Sequence, residues 1–341
     1  MAAIAVILGH ASIWMQPVPT PRAWLAVDLF FALSGFVICH VYENRLDSGM
    51  TVSQFMKLRY IRLYPLFVVG VGVGIISGAA ALVLGKGHLS SGGLALAAIS
   101  GLLMLPSPTW NLTADLIPLN KPGWSLFFEC FINLIYAAYW RQLNKRLLIG
   151  IIVLSGGLLA FYCTMGQGYG GTSWSNFFWG FPRVSFSFFF GVLIAKNYDG
   201  KCTETGLAWL LPLLLIPILF SVNLSGPYIE FLMVILVFPA TIAIGARIEP
   251  PKQKLFLLLS AISYPVYAIH EPILYLLWRI FIYFNIKPEE YTPEIGIAFV
   301  VCMLIICTFL EKFYDRPVRR YLTALLLGNK SPQEKTLKGN S

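Results

Sequence analysis

Apolar residues in this chain come in long unbroken runs, not in alternating or one-faced patterns. After an opening run, Ala2–Met15, they cover 23–40, 63–84, 123–140, 147–164, 176–195, 206–222, 228–246, 255–282 and 295–313. A helix that crosses the hydrocarbon core needs about 20 mostly apolar residues, and most of these runs approach that length. Alternating segments of the β-barrel kind are absent. In hydrocarbon every backbone polar group must be satisfied within its own element, which leaves helices. The opening run stops at Gln16-Pro17. It gives about 21 Å of helix at 1.5 Å per residue, against a core of about 30 Å. The first helix is therefore expected to begin upstream of Met1.

One further run, 94–105, is too short to span, and charge decides its status. With a cytoplasmic N-terminus and no crossing at 94–105, the basic connections all fall on one side. They are 41–62 (Arg45, Lys57, Arg59, Arg62), then Arg141 with Lys145 and Arg146, then Lys196 with Lys201, then Arg247 with Lys252 and Lys254. The end of the chain follows with Lys312, Arg316, Arg319 and Arg320. A crossing at 94–105 would invert every later loop and break the positive-inside rule. The expected fold is all-α and polytopic, with about ten transmembrane helices, a short re-entrant segment at 94–105 and both termini cytoplasmic. Residues 1–325 form the membrane domain. The polar stretch 326–341 reads as a disordered cytoplasmic tail.

Composition agrees and narrows the function. Hydrophobic residues make up 57% and charged residues 12%, about half the charge of a soluble chain. The net charge of +9 sits in short connections between spans, so it reports topology and not nucleic-acid binding. The six cysteines are scattered without CxxC pairing, and no HExxH-type metal spacing occurs.

Ionisable residues inside spans are costly and mark functional sites by default. Here they are His10, Asp28, Glu129, Arg183, His270 and Glu271. The topology puts most of them in the outer half of the bilayer, with His270 near its midplane, which suggests a polar chamber. The structural alternative is a network of buried pairs, such as Arg183 with Asp28. His10 suits proton transfer near neutrality. Glu129 or Asp28 could orient it, as in a base–orienter pair. Arg59 and Arg62 lie three apart and share a helix face. They are either headgroup anchors or a fork for the phosphates of a cofactor arriving from the cytoplasm.

Together these pieces resemble the acyltransferase 3 family of integral-membrane O-acyltransferases. The resemblance rests on Ile4-Ala5-Val6 leading to His10, Val27-Asp28-Leu29-Phe30-Phe31, Arg59-Tyr60-Ile61-Arg62-Leu63-Tyr64-Pro65, Trp124-Ser125-Leu126-Phe127-Phe128-Glu129, Pro182-Arg183, and Ser263-Tyr264-Pro265-Val266-Tyr267-Ala268-Ile269-His270. Their order and spacing span nearly the whole chain. The resemblance implies transfer of an acyl group, often acetyl, from cytoplasmic acyl-CoA to an acceptor outside or at the membrane. Acceptors of that kind are sugars of lipopolysaccharide O-antigen, exopolysaccharide or other glycans. It implies a bacterial inner-membrane location, and a catalytic role for His10 with Glu129 and Asp28 beside it. Arg59 and Arg62 would hold the CoA phosphates, and Arg183, His270 and Trp124 would contact the acceptor. No metal and no nucleic acid are expected. The family's basic residue eleven positions before the histidine would fall before Met1. A transporter or flippase of lipid-linked glycans shares the spans and the polar chamber, and is the alternative from another class.

Overall fold

The computed structural model describes residues 2–17, 23–166, 170–206, 226–249 and 253–328. The chain is mostly helical. The helices are α1 (Ala2–His10), α2 (Ala26–Asp47), α3 (Val52–Val83), α4 (Ser91–Leu102), α5 (Gly123–Tyr139), α6 (Lys145–Thr164) and α7 (Gly180–Lys196). They continue with α8 (Pro227–Gly245), α9 (Gln253–Tyr283) and α10 (Glu294–Leu327). Among the described residues seven helices are long and apolar enough to cross a membrane: α2, α3, α6, α7 with its lead-in from Trp174, α8, α9 and α10. Outward-facing side chains such as Val83, Leu154 and Phe309 are exposed, as a lipid-facing surface requires. This is an integral, multi-pass membrane protein.

Three of the expected spans need separate mention. The 123–140 run forms the 17-residue α5, about 25 Å long. The opening run forms only the nine-residue α1 before a 3-10 turn over Ser12–Met15. The 206–222 run lies outside the described residues after Gly206, as does the tail from 329 onward. The doubtful 94–105 run is the 12-residue α4, about 18 Å and so too short to cross.

The expected 41–62 loop is replaced by helix. α2 runs on to Asp47 and α3 begins at Val52, so four residues make the turn. Thr51 accepts from the Gln54 amide while the Gln54 side chain accepts from the Thr51 amide, a capping box. Hydropathy marks only where the apolar run ends, and the helix continues past that point. At 32 residues α3 is about 48 Å long, so its first two turns, with Lys57 and Arg59, precede the apolar stretch.

Two cores hold the bundle. One joins α2, α5 and α7 through Phe31, Phe128, Phe186 and Phe188. The other packs α1 into α9 and α10 through Ile7, Trp14, Ile269, Phe299 and Met303. α2 and α7 approach most closely, because glycine faces backbone on both sides. A Cβ at Gly35 would overlap the Phe188 carbonyl, and one at Gly191 would overlap the Ala32 carbonyl. Small residues permit such contact between membrane helices. A two-residue parallel pair, Thr203–Glu204 with Ile248–Glu249, ties the connection after α7 to that after α8.

Candidate active site

α9 is the element that builds the site, and its prolines explain how it is held. Pro272 has no N–H, so the Ala268 carbonyl four residues earlier loses its helical partner. The Asn120 side-chain amide donates to that carbonyl at 2.9 Å. Gly70 on α3 leaves the room, since a Cβ there would meet both Asn120 and the Ala268 carbonyl. The Tyr264 hydroxyl donates to the Leu63 carbonyl of α3. The Tyr267 hydroxyl donates to the Pro122 carbonyl at 3.1 Å and lies 2.6 Å from the Ser125 hydroxyl. Residues 264–270 are thus pinned to α3 and to the start of α5.

This fixes His270, which is fully buried. Its Nε2 lies 3.0 Å from Nδ1 of His10, and the two rings are 4.9 Å apart between centroids. Its Nδ1 lies 2.9 Å and 3.0 Å from the carbonyls of Val266 and Tyr267. His10 itself is exposed to a cavity of about 420 Å³, lined also by Val27, Trp124, Arg183, Glu230 and Tyr267.

A second cavity, about 490 Å³, contains Arg59, Arg62, Ser34, Glu129 and Ser263. Val27 and Tyr267 line both cavities, so the two meet at those side chains. α1 runs past both, with Ala2 at the arginine cavity and His10 at the other, about 12 Å apart along the helix. The arrangement is two cavities, one beside each end of α1, with Val27 and Tyr267 between them.

The charged residues pair in an order that the sequence left open. Arg183 binds Asp28 through both carboxylate oxygens, Nε to Oδ1 at 2.9 Å and Nη2 to Oδ2 at 2.7 Å. It also donates to the Gly170 carbonyl at 3.1 Å and lies 4.9 Å from the centre of the Trp124 ring. Asp28 and Arg183 are 0% and 1% exposed. Arg59 Nη2 binds Glu129 Oε1 at 2.6 Å, and the Ser34 hydroxyl donates to the same oxygen at 2.9 Å. Arg62 Nη1 lies 3.4 Å from Asp315 on α10, and its guanidinium lies 5.0 Å from the centre of the Tyr264 ring.

The expected carboxylate partner of His10 is therefore replaced by His270. Asp28 is saturated by Arg183 and lines neither cavity. Glu129 sits in the arginine cavity, where Arg59 and the Ser34 hydroxyl share its Oε1. His270 lies behind His10 and does not line the cavity, so acceptor contact is not its geometry. Arg183 and Trp124 do line the cavity, stacked on each other.

A family model described as an acyltransferase domain matches residues 1–311. The chain belongs to the acyltransferase 3 family. A curated protein of Rhizobium radiobacter, "Protein 2 in picA locus", is 36% identical over 169 residues, which cover 47% of this chain and 87% of that protein. No solved structure matches the chain.

The α4–α5 and α6–α7 connections lie together on the His10 side of the acyltransferase. Asp115 and Ser173 form an isolated bridge, and the Trp174 indole donates to the Ser107 carbonyl at 3.0 Å. Lys121 donates to the Tyr275 hydroxyl at 2.9 Å and lies 3.3 Å from Asp115. Burial alone would lower its ammonium, but the Tyr275 bond and the nearby Asp115 and Glu271 outweigh this and hold it above the ordinary lysine range. Sequence reasoning assigned no role to Asn120, Lys121, Ser125, Tyr267 or Asp315. The one local signal was Pro272, which announces an orphaned carbonyl at Ala268 but does not say what caps it.

Proposed function

We propose that this acyltransferase moves an acyl group, acetyl in the simplest case, from acyl-CoA to a hydroxyl of an extracytoplasmic glycan. The protein would lie in a bacterial cytoplasmic membrane with the arginine cavity facing the cytoplasm, as the basic loops favour. The observation that carries this reading is the pair of cavities meeting at Val27 and Tyr267, one holding Arg59 and Arg62 and the other holding His10. Guanidinium forks suit phosphate oxygens, so the CoA phosphates would bind at the arginine end, exchanging with Glu129 and Asp315. The thioester arm would run along α1 toward His10. The glycan would enter from the His10 end, where Trp124 and Arg183 offer a flat, polar wall.

In the direct mechanism, the acceptor oxygen attacks the thioester carbonyl while His10 Nε2 takes the hydroxyl proton. The tetrahedral intermediate then collapses, the C–S bond breaks, and the proton passes from His10 to the departing thiolate. The alternative places the acyl group first on His10 Nε2. Both need that nitrogen unprotonated and facing the cavity. The test is transfer of label from labelled acetyl-CoA to a glycan acceptor by the purified protein. His10→Ala should abolish transfer while the protein still elutes as a single species. Full activity in that variant would end both mechanisms. Labelled protein trapped without acceptor would select the covalent route.

A further inference from the structure

We infer that His270 is a positioning residue that sets the tautomer of His10, leaving Nε2 of His10 as the reactive lone pair. The inference rests on the proposed role of His10 and assigns a role beyond it. It follows from three hydrogen bonds taken in order. The carbonyls of Val266 and Tyr267 can only accept, so the His270 Nδ1 between them must carry the proton. No side chain of opposite charge hydrogen-bonds this fully buried ring among the described residues, so a resting cation there would stand uncompensated. His270 is thus the neutral Nδ1–H form, and its Nε2 is a lone pair. That lone pair faces Nδ1 of His10 at 3.0 Å and can only accept. His10 must therefore carry its proton on Nδ1, which leaves Nε2 bare.

The rest of the ring agrees. His10 Nε2 has no hydrogen-bond partner among the described residues, and His10 lines the cavity. The arrangement does the orienting work of a carboxylate in a base–orienter pair without placing a second charge in the bundle. It also gives purpose to the anchoring of α9. Asn120 on the Ala268 carbonyl and Tyr267 on the Pro122 carbonyl hold the backbone that supplies both acceptors. When His10 takes the acceptor proton, its Nδ1 proton can shift to His270 Nε2, so one added proton is shared by two rings.

The test uses the purified full chain with labelled acetyl-CoA and a glycan acceptor, and compares His270→Leu, His270→Gln and His10→Ala. Glutamine can offer its side-chain oxygen to His10 Nδ1–H; leucine cannot. His270→Leu should lower kcat about 100-fold with KM for both substrates unchanged, and His270→Gln should recover most of that loss. In ¹⁵N-histidine spectra of the wild type, His10 should show a protonated Nδ1 and a bare Nε2, and this signature should vanish in His270→Leu. A wild-type His10 protonated on Nε2 would overturn the inference even if the leucine variant failed to fold. So would a leucine variant as active as wild type, or a glutamine variant as impaired as leucine. In each of these cases an inactive His10→Ala leaves the acyl-transfer reading intact. An active His10→Ala would remove that reading itself.

Discussion

Asp28→Asn should destabilise the protein far more than its small change in shape suggests. The carboxylate is wholly buried and both its oxygens are bound by Arg183, which is 1% exposed. Asparagine keeps the volume and one acceptor but removes the charge. Arg183 then remains a buried cation that has lost its two-oxygen carboxylate partner, with the Gly170 carbonyl and the Trp124 face still beside it. Removing one member of a buried pair costs about 3–5 kcal/mol, because the other charge is left uncompensated. Removing both charges together should cost much less, since neither desolvation penalty remains. Asp28→Leu with Arg183→Met should return to within about 1–2 kcal/mol of wild type, the residue being the lost Gly170 hydrogen bond and imperfect packing. The assay is reversible unfolding in mixed micelles, followed by helical circular dichroism, over the two single variants and the double. The cycle should show strong coupling between the sites. An Asp28→Asn cost below about 1 kcal/mol, or single effects that simply add, would refute the claim that this pair is a desolvated unit.

Two further predictions rest on packing and on charge. Gly191→Val should prevent α2 and α7 from closing and yield little monodisperse protein by gel filtration, whereas Gly157→Val on α6, where nothing lies within 4 Å, should behave as wild type. Lys121 is held above the ordinary lysine range, so its contribution to stability is fully present below the unfolded value of about 10.4 and is lost only as pH rises through the folded one. Lys121→Met should therefore lower the melting temperature throughout pH 6 to 9, with a deficit that does not shrink as pH rises. A deficit that shrinks within that range would contradict it.

The sequence was most informative where physics is local. Runs of apolar residues located the spans, and the length and charge context of 94–105 demoted it to what is a 12-residue helix. The Thr51–Gln54 capping box was readable in principle, yet hydropathy concealed it by treating the basic stretch before Arg59 as a loop. Asp28, Arg183, His270 and Glu271 were visible as exceptions in apolar sequence, whereas the buried Glu311 and Asp315 were passed over in the charged stretch that ends the last apolar run. The Asp28–Arg183 pair was named as the structural alternative and is present. The other partners could not be read: Arg59 with Glu129 and His10 with His270 join residues from different helices, and that choice belongs to tertiary packing. Helix counting gave each residue a depth along its own helix but not the partner that its side chain reaches across the bundle. This is why Glu129 was expected beside His10 and is found beside Arg59.

In the proposed reaction the donor binds at the arginine end and the acyl group emerges at the His10 end. Sidedness tests this most directly. The protein would be reconstituted in one orientation, with membrane-impermeant labelled acetyl-CoA on one face of the vesicle and a glycan acceptor on the other. Transfer should occur with acetyl-CoA at the Arg59 and Arg62 face and acceptor at the His10 face, and should fail when the two are exchanged. Transfer only when donor and acceptor share a face would contradict passage through the bundle.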